Sequence, residues 1–278
     1  MSAVPSITLN NGVQIPQLGF GVFQIKPEET KDATLAALEI GYRHIDTAEM
    51  YQNEKQVGEA VNASGIDRAE IFVTSKLNNG AHAHDDALAA FDATMDALAL
   101  DYLDLFLIHW PLPAVGDFVE TWKAMEEIYA TGRTKAVGVS NFQPHHLRRL
   151  ITETTIVPAV NQIEIHPYFV QDELRAVDAE HNIATEAWSP IAQGKVLDDP
   201  VIERIASSVG RTPAQVTLRW HIQRGDIVFP KSVTRTRMQE NFDLFDFELE
   251  VTDMASITAL SKTDGRTGPD PDAFNFVP

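Results

Sequence analysis

The feature that most constrains this chain is a repeating alternation of short apolar runs and stretches of helical period. Eight apolar runs stand out: "QLGFG" at 17–21, "YRHID" at 42–46, "IFVTSK" at 71–76, "YLDLFLIHW" at 102–110, "KAVGVSN" at 135–141, "PAVNQIEIH" at 158–166, "NIATEAWSP" at 182–190 and "DIVFPKS" at 226–232. Between the third and fourth, Leu88, Phe91, Met95 and Leu98 recur at steps of three and four with Asp between them, as in a helix with one buried face. "PEETKDATLAALEIG" opens on Pro27, carries acids in its first turn and stops at Gly41. "TPAQVTLRWHIQRG" has Thr212 as N-cap, Pro213 at the first helical position and Gly225 as its stop. Eight strand–helix units in 278 residues fit a (β/α)8 TIM barrel; an open doubly wound sheet is the competing arrangement. Ahead of them, "SITLNNGVQIP" is two alternating runs around Asn11-Gly12, read as a β-hairpin closing the barrel floor. No linker-like segment interrupts the series, so residues 1–278 are expected to form a single domain.

Composition narrows the partners. The chain has no cysteine, which excludes a disulfide scaffold, thiolate zinc sites and cysteine nucleophiles. Its N-terminal stretch lacks the basic and apolar segments of a secretory leader, and no apolar run approaches the roughly 20 residues of a membrane helix. A soluble cytoplasmic protein without a membrane partner is expected. With 22 basic against 40 acidic residues, the net charge of -18 argues against nucleic acid as a partner. In so acidic a chain, any cluster of Lys and Arg points to a bound anion.

The polar residues at the strand ends carry the chemistry. In order they are Asp46, Lys76, His109, Ser140 with Asn141, Gln162, Trp188 and Lys231. Barrel strands bring their C-terminal ends to one rim, where catalytic groups collect. Lys76 within "IFVTSKL" and His109 within "LFLIHW" are poorly explained as mere resumption of polarity, because charged groups are rarely buried without partners. Asp46, Lys76 and His109 then become neighbours from the second, third and fourth strands, with Tyr51 on the loop after the second. A phenol is too weak an acid for easy proton donation near neutral pH; a neighbouring ammonium lowers its pKa. A buried ammonium in turn needs a counter-charge, which Asp46 supplies, while the His109 imidazole can orient a substrate oxygen. This set is a general acid without an electron donor, so carbonyl reduction would need a hydride from a cofactor.

Taken together, "GYRHIDTAEMYQNEKQVG", "VTSKL", "LFLIHWP", "VGVSNF", "AVNQIEIHP" and "FPKSV" resemble the aldo-keto reductases over nearly the whole chain, most closely their bacterial 2,5-diketo-D-gluconate reductase branch. The resemblance implies a TIM barrel that uses NADP(H), with Asp46, Tyr51, Lys76 and His109 as the catalytic tetrad and Tyr51 as proton donor. It further implies that Ser140, Asn141 and Gln162 hold the nicotinamide carboxamide and that Trp188 stacks on the ring. Ser189 and Gln193 fall in the loop that clasps the pyrophosphate, and Lys231, Ser232, Val233, Arg237, Glu240 and Asn241 match the adenosine end. The basic cluster Lys231, Arg235 and Arg237, lying after the last strand, independently suits a 2′-phosphate. There is no GxGxxG after a strand, so the cofactor must be held without that fingerprint. Substrate would meet Phe23, Trp110 and Asn78, the last standing where many members have tryptophan. The short "PLPAVGD" loop suggests an open pocket, and Phe274 and Phe276 in the tail are within reach of closing it.

The implied function is NADPH-dependent reduction of aldehydes, ketones, α-dicarbonyls or keto-sugars to alcohols by a monomer. A catalytically silent NADP-binding or structural protein on the same scaffold is the alternative. No metal is expected. His82 and His84 in "AHAHDD" read as a polar loop whose Asp85 caps the next helix, and "QPHHLRRL" reads as a helix start.

Overall fold

The structure is a computed structural model and describes residues 4–278; Met1–Ala3 of the N-terminal stretch and of the expected domain lie outside the described residues. All eight runs form strands, all but β5 shorter than the run: β3 (Phe20–Gly21), β4 (His44–Asp46), β5 (Phe72–Leu77), β6 (Leu105–Ile108), β7 (Val137–Ser140), β8 (Val160–Glu164), β9 (Ala184–Trp188) and β10 (Ile227–Val228). Neighbours in sequence pair in parallel, in the order β3 to β10. The ring closes through backbone: Gly19 N donates to Val228 O at 2.7 Å and Val228 N to Gln17 O at 3.0 Å. That closure decides for the barrel over an open sheet, whose edge strands would stay unpaired.

The hairpin consists of β1 (Ser6–Thr8) and β2 (Gln14–Pro16), paired with Ile7 opposite Ile15. Its turn holds Gly12 at φ 87°, a left-handed conformation that glycine adopts without steric cost. Leu9 and Ile15 pack with Phe72, Leu105, Ala136, Ala159 and Ile227, which lie at the starts of five strands. The hairpin therefore seals the N-terminal end of the barrel and leaves the C-terminal rim for chemistry.

The helices sit outside and bury one face each. In chain order they are α1 Pro27–Ile40, α2 Glu54–Ala63, α3 His84–Leu98, α4 Phe118–Ala130, α5 Pro144–Glu153, α6 Asp172–Glu180, α7 Pro200–Val209, α8 Pro213–Arg224, α9 Arg235–Phe242 and α10 Val251–Thr258. In α3, Phe91, Met95 and Leu98 are buried as their spacing requires, with Leu88 packed at the edge. Thr212 caps α8, its hydroxyl accepting from Gln215 N at 3.2 Å. One cap differs from expectation: Ala83 precedes α3, and Asp85 lies inside the first turn, where it favours the helix dipole without capping a backbone N–H.

Helices α2 and α3 meet at Gly58. A β-carbon there would lie 1.9 Å from the Leu98 carbonyl oxygen, a backbone atom that cannot move aside cheaply. Gly58→Ala is expected to cost about 2–3 kcal/mol, read as a lowered urea midpoint with an unchanged slope.

Candidate active site

Lys76 is fully buried at the rim end of β5. Its ammonium donates to Asp46 Oδ1 at 2.8 Å, Asp46 Oδ2 at 2.9 Å and Thr47 O at 2.8 Å, and it lies 3.3 Å from the Tyr51 hydroxyl. Asp46 ends β4, Thr47 follows it directly, and Tyr51 closes the 3-10 turn Glu49–Tyr51. The β4/β5 register sets Asp46 opposite Thr74, two residues before Lys76, so the long side chain reaches back across the interior. Burial pulls the Lys76 pKa down, but the charges and hydrogen bonds of Asp46 and Tyr51 together outweigh it and hold the ammonium above its ordinary value. For Asp46, burial raises the carboxyl against the pull of Lys76 and Gln162.

The His109 ring follows β6 and meets the Tyr51 ring edge-on, with centroids 5.8 Å apart. Burial, with Lys76 adding, holds His109 well below its ordinary pKa, so the imidazole is neutral. Its Nδ1 has no hydrogen-bond partner among the described residues. Tyr51 departs from the simple expectation. Lys76 does pull its pKa down, but burial is the larger effect and the resting phenol stays above its ordinary value. The phenol therefore keeps its proton at neutral pH, as a proton donor must, and Lys76 acts by steadying the phenolate left behind.

The nicotinamide-facing residues implied by the resemblance also converge. Ser140 ends β7, and its Oγ donates to Gln162 O at 2.8 Å. Asn141 follows in a left-handed conformation, φ 66°, and its Nδ2 donates to His109 O at 2.9 Å. Trp188 ends β9 and donates from Nε1 to Asn141 Oδ1 at 2.9 Å. Gln162 lies in the middle of β8 instead of at its end, which Glu164 occupies. Its Nε2 donates at 2.8 Å to both Asp46 Oδ2 and Glu186 Oε2. With both N–H groups spent, Gln162 keeps only its carbonyl oxygen to offer, which suits a carboxamide NH2.

The anion-binding positions lie in two loops. Ser189, Ala192, Gln193 and Gly194 all have positive φ, between 49° and 92°. Three non-glycine residues in that region mark a strained segment of the kind that turns successive backbone N–H groups toward an anion. Lys231 and Val233 are exposed between β10 and α9, while the buried Ser232 accepts from Thr234 N at 3.0 Å. Arg237, Glu240 and Asn241 share one face of α9 at steps of three and four. Arg235 is engaged with Glu39 at 2.8 Å, but among the described residues Lys231 and Arg237 have no ion-pair partner. These residues fit a dinucleotide with a 2′-phosphate, even though one of the three expected cations is already paired.

At the mouth, Phe23 is 52% exposed and its ring lies 5.0 Å from that of Tyr51. Asn78 is half-buried and its Oδ1 accepts from Gly80 N at 3.2 Å. Trp110 is buried against Phe274, centroids 4.3 Å apart, and Asn79 donates to Phe276 O at 2.9 Å. The tail thus crosses the mouth.

Sequence reasoning missed what fastens that tail. The buried Glu164 accepts from Thr267 N at 2.6 Å, Thr267 Oγ1 at 2.5 Å and Gly268 N at 3.0 Å, with His166 at 3.0 Å. Burial raises its pKa, and these bonds outweigh burial and hold it below its ordinary value. Alternation could have revealed it, since residues two apart in β8 share a face and Gln162 was already singled out. A second fastening joins Asp272 to His145 and His146, each 3.3 Å away. His146 Nδ1 accepts from Gln143 N at 3.1 Å, so the neutral ring carries its proton on Nε2. That nitrogen lies near Asp272 without a hydrogen bond to it among the described residues, and it has no lone pair for a metal. His82 packs on Thr121, and His84 faces Asp85 and Glu127.

Residues 17–262 match the model of the aldo/keto reductase family. The chain belongs to that family. Methylglyoxal reductase DkgA of Escherichia coli (strain K12) is 48% identical, with 96% of this chain and 97% of the relative covered. Glyoxal reductase of Bacillus subtilis (strain 168) is 46% identical over 98% of each chain. A solved structure of a Gox0644 mutant in complex with NADPH superimposes with a TM-score of 0.95 at 45% identity, covering 99% of this chain and 100% of the other.

Removing the ammonium tests how the pair is held. Lys76→Met is expected to lower turnover at least about 100-fold and to destabilise the fold by about 3 kcal/mol near pH 8. Asp46, left alone, relieves the strain by taking up a proton, so the loss should shrink as pH falls toward about 5. Urea midpoints at the two pH values check the sign.

Proposed function

We propose that this aldo/keto reductase reduces the carbonyl groups of aldehydes and α-dicarbonyls, with ketones and keto-sugars as further candidates, using NADPH and taking the proton from Tyr51. The observation that carries the reading is the fully buried Lys76 ammonium, held by Asp46 and 3.3 Å from the Tyr51 hydroxyl, with neutral His109 beside the phenol. The names of the methylglyoxal and glyoxal reductases support small dicarbonyls in particular. The Gox0644 complex supports NADPH as the cofactor.

When bound, the cofactor supplies the hydride. Everything else falls to the chain. Ser140, Asn141 and Gln162 would hold the carboxamide, with Trp188 stacked on the ring. Ser189 and Gln193 would receive the pyrophosphate. Lys231, Ser232, Val233, Arg237, Glu240 and Asn241 would take the adenosine end, with Lys231 and Arg237 on the 2′-phosphate. His109 donates from a ring nitrogen to the substrate oxygen and aims it at Tyr51. As negative charge grows on that oxygen, Tyr51 gives up its proton, and Lys76, balanced by Asp46, steadies the phenolate. Phe23, Asn78 and Trp110 would shape the substrate side. A single domain over residues 1–278 is part of the proposal, supported by the hairpin and tail that pack on opposite ends of one barrel. So are a monomeric state and a cytoplasmic location; no described helix is long and apolar enough to cross a membrane.

Two experiments test this reading. Tyr51→Phe should lose at least about 100-fold in turnover of methylglyoxal while still binding NADPH; near-normal turnover would sink the mechanism. Lys231→Ala combined with Arg237→Ala should weaken NADPH binding about 10- to 100-fold and leave NADH nearly unchanged, measured by fluorescence titration. Equal weakening of both cofactors would remove the 2′-phosphate role.

A further inference from the structure

Below the Lys76 pair lies a second carboxyl group that the mechanism above does not use. Glu186 is fully buried on β9, directly opposite Gln162 on β8. The Gln162 Nε2 atom bonds to Glu186 Oε2 and to Asp46 Oδ2, both at 2.8 Å. A single amide thus ties two carboxyl groups together, and only one ammonium, Lys76, is present to balance them.

The other Glu186 oxygen has no donor among the described residues to balance a charge. Oε1 has no hydrogen-bond partner among the described residues, and the group facing it is His44 Nε2 at 3.9 Å. His44 Nδ1 lies 3.3 Å from the Pro16 carbonyl oxygen, which can only accept. The ring therefore carries its proton on Nδ1, and Nε2 accepts from the Thr74 hydroxyl, 3.3 Å away, so it has no N–H to offer Glu186. Burial drives the His44 pKa down to about 3, so no second proton joins it. A carboxylate there would leave Oε1 charged with no donor in a dry interior, a cost that a neutral carboxylic acid avoids.

We propose that Glu186 is carried as a neutral acid and serves as a positioning residue, fixing the Gln162 amide and leaving Asp46 as the only negative charge on Lys76. The inference rests on the role given to Tyr51 above. The ionisable groups around Glu186 are Asp46 and His44 from β4 and Lys76 from β5; β8 contributes neutral Gln162, and β10 sets Ile227 opposite. Burial, with the Asp46 charge adding, pushes the Glu186 carboxyl up to about 8. The proton is therefore held at neutral pH and leaves just above it. Its departure adds a second negative charge to the network. The phenolate that Tyr51 must become is then less well balanced, so reduction slows as pH rises through this range. Tyr51 itself is raised above its ordinary value and titrates later.

The test is the pH profile of hydride transfer in single turnover, so that cofactor release does not mask it. The wild-type rate is expected to fall with an inflection near about pH 8. Glu186→Gln keeps an acceptor for Gln162 but cannot ionise, so its inflection should move up by at least about one pH unit. Glu186→Leu, which lacks the acceptor, should turn over at least about tenfold more slowly than E186Q. A flat wild-type profile from about pH 7 to 9 overturns the proposal without any variant, and so does an E186Q profile superimposable on wild type. Failure of the underlying reading looks different: it is a Tyr51→Phe protein that still turns over. An inactive Tyr51→Phe combined with an unmoved E186Q profile brings down this inference alone.

Discussion

A lysine ammonium with no exposed surface is the constraint around which this molecule is built. Taking such a charge out of water is costly, and one carboxylate repays the cost only with well-placed additional hydrogen bonds. Lys76 obtains both oxygens of Asp46 and the Thr47 carbonyl, which leaves the phenol as its outermost neighbour. The same requirement explains why Asp46 needs Gln162 and why Gln162 needs Glu186: each buried polar group creates a demand that the next one meets. The interior of the barrel at this level is a chain of such demands running from β5 through β4 and β8 to β9.

A closed parallel barrel is well suited to that task. Residues 46, 76, 109, 140, 162 and 188 are far apart in sequence, yet each lies within or just after a strand whose neighbours fix its height. Backbone pairing from Gly19 to Val228 completes the ring, so no strand is free to slide and carry its side chain out of register. Loops could not hold a buried ion pair to the same tolerance.

Much of this was legible in the sequence because the signals were violations of pattern. Lys76 and His109 betray themselves by interrupting apolar strands, and the eight runs with their intervening helical periods give the barrel. Thr212 and Gly225 mark their helix because capping chemistry is local. Glu164 and Glu186 were passed over for a different reason. In "NQIEIH" and "ATEAW" they alternate with apolar residues, and an acid in an alternating strand normally reads as solvent-facing. Closure of the barrel turns that face inward, and for Glu164 the sole hint was the face it shares with Gln162. The approach of Asp272 to His145 and His146 spans nearly half the chain and leaves no local trace. The Tyr51 pKa was misjudged because a sequence shows which charge is near but not how much water has been removed.

The tail and the hairpin give the molecule a polarity that matters for handling it. The hairpin lies under the floor, packed on the starts of the strands. The far end crosses the rim, gripped by Glu164, stacked on Trp110 and bonded to Asn79, with Val277 coming within 3.9 Å of a β-carbon placed at Gly80. Immobilisation through the first residues turns the open mouth toward solution. A fusion partner or affinity tag joined after Pro278 would instead be anchored at the rim and would pull on the strap that frames the substrate.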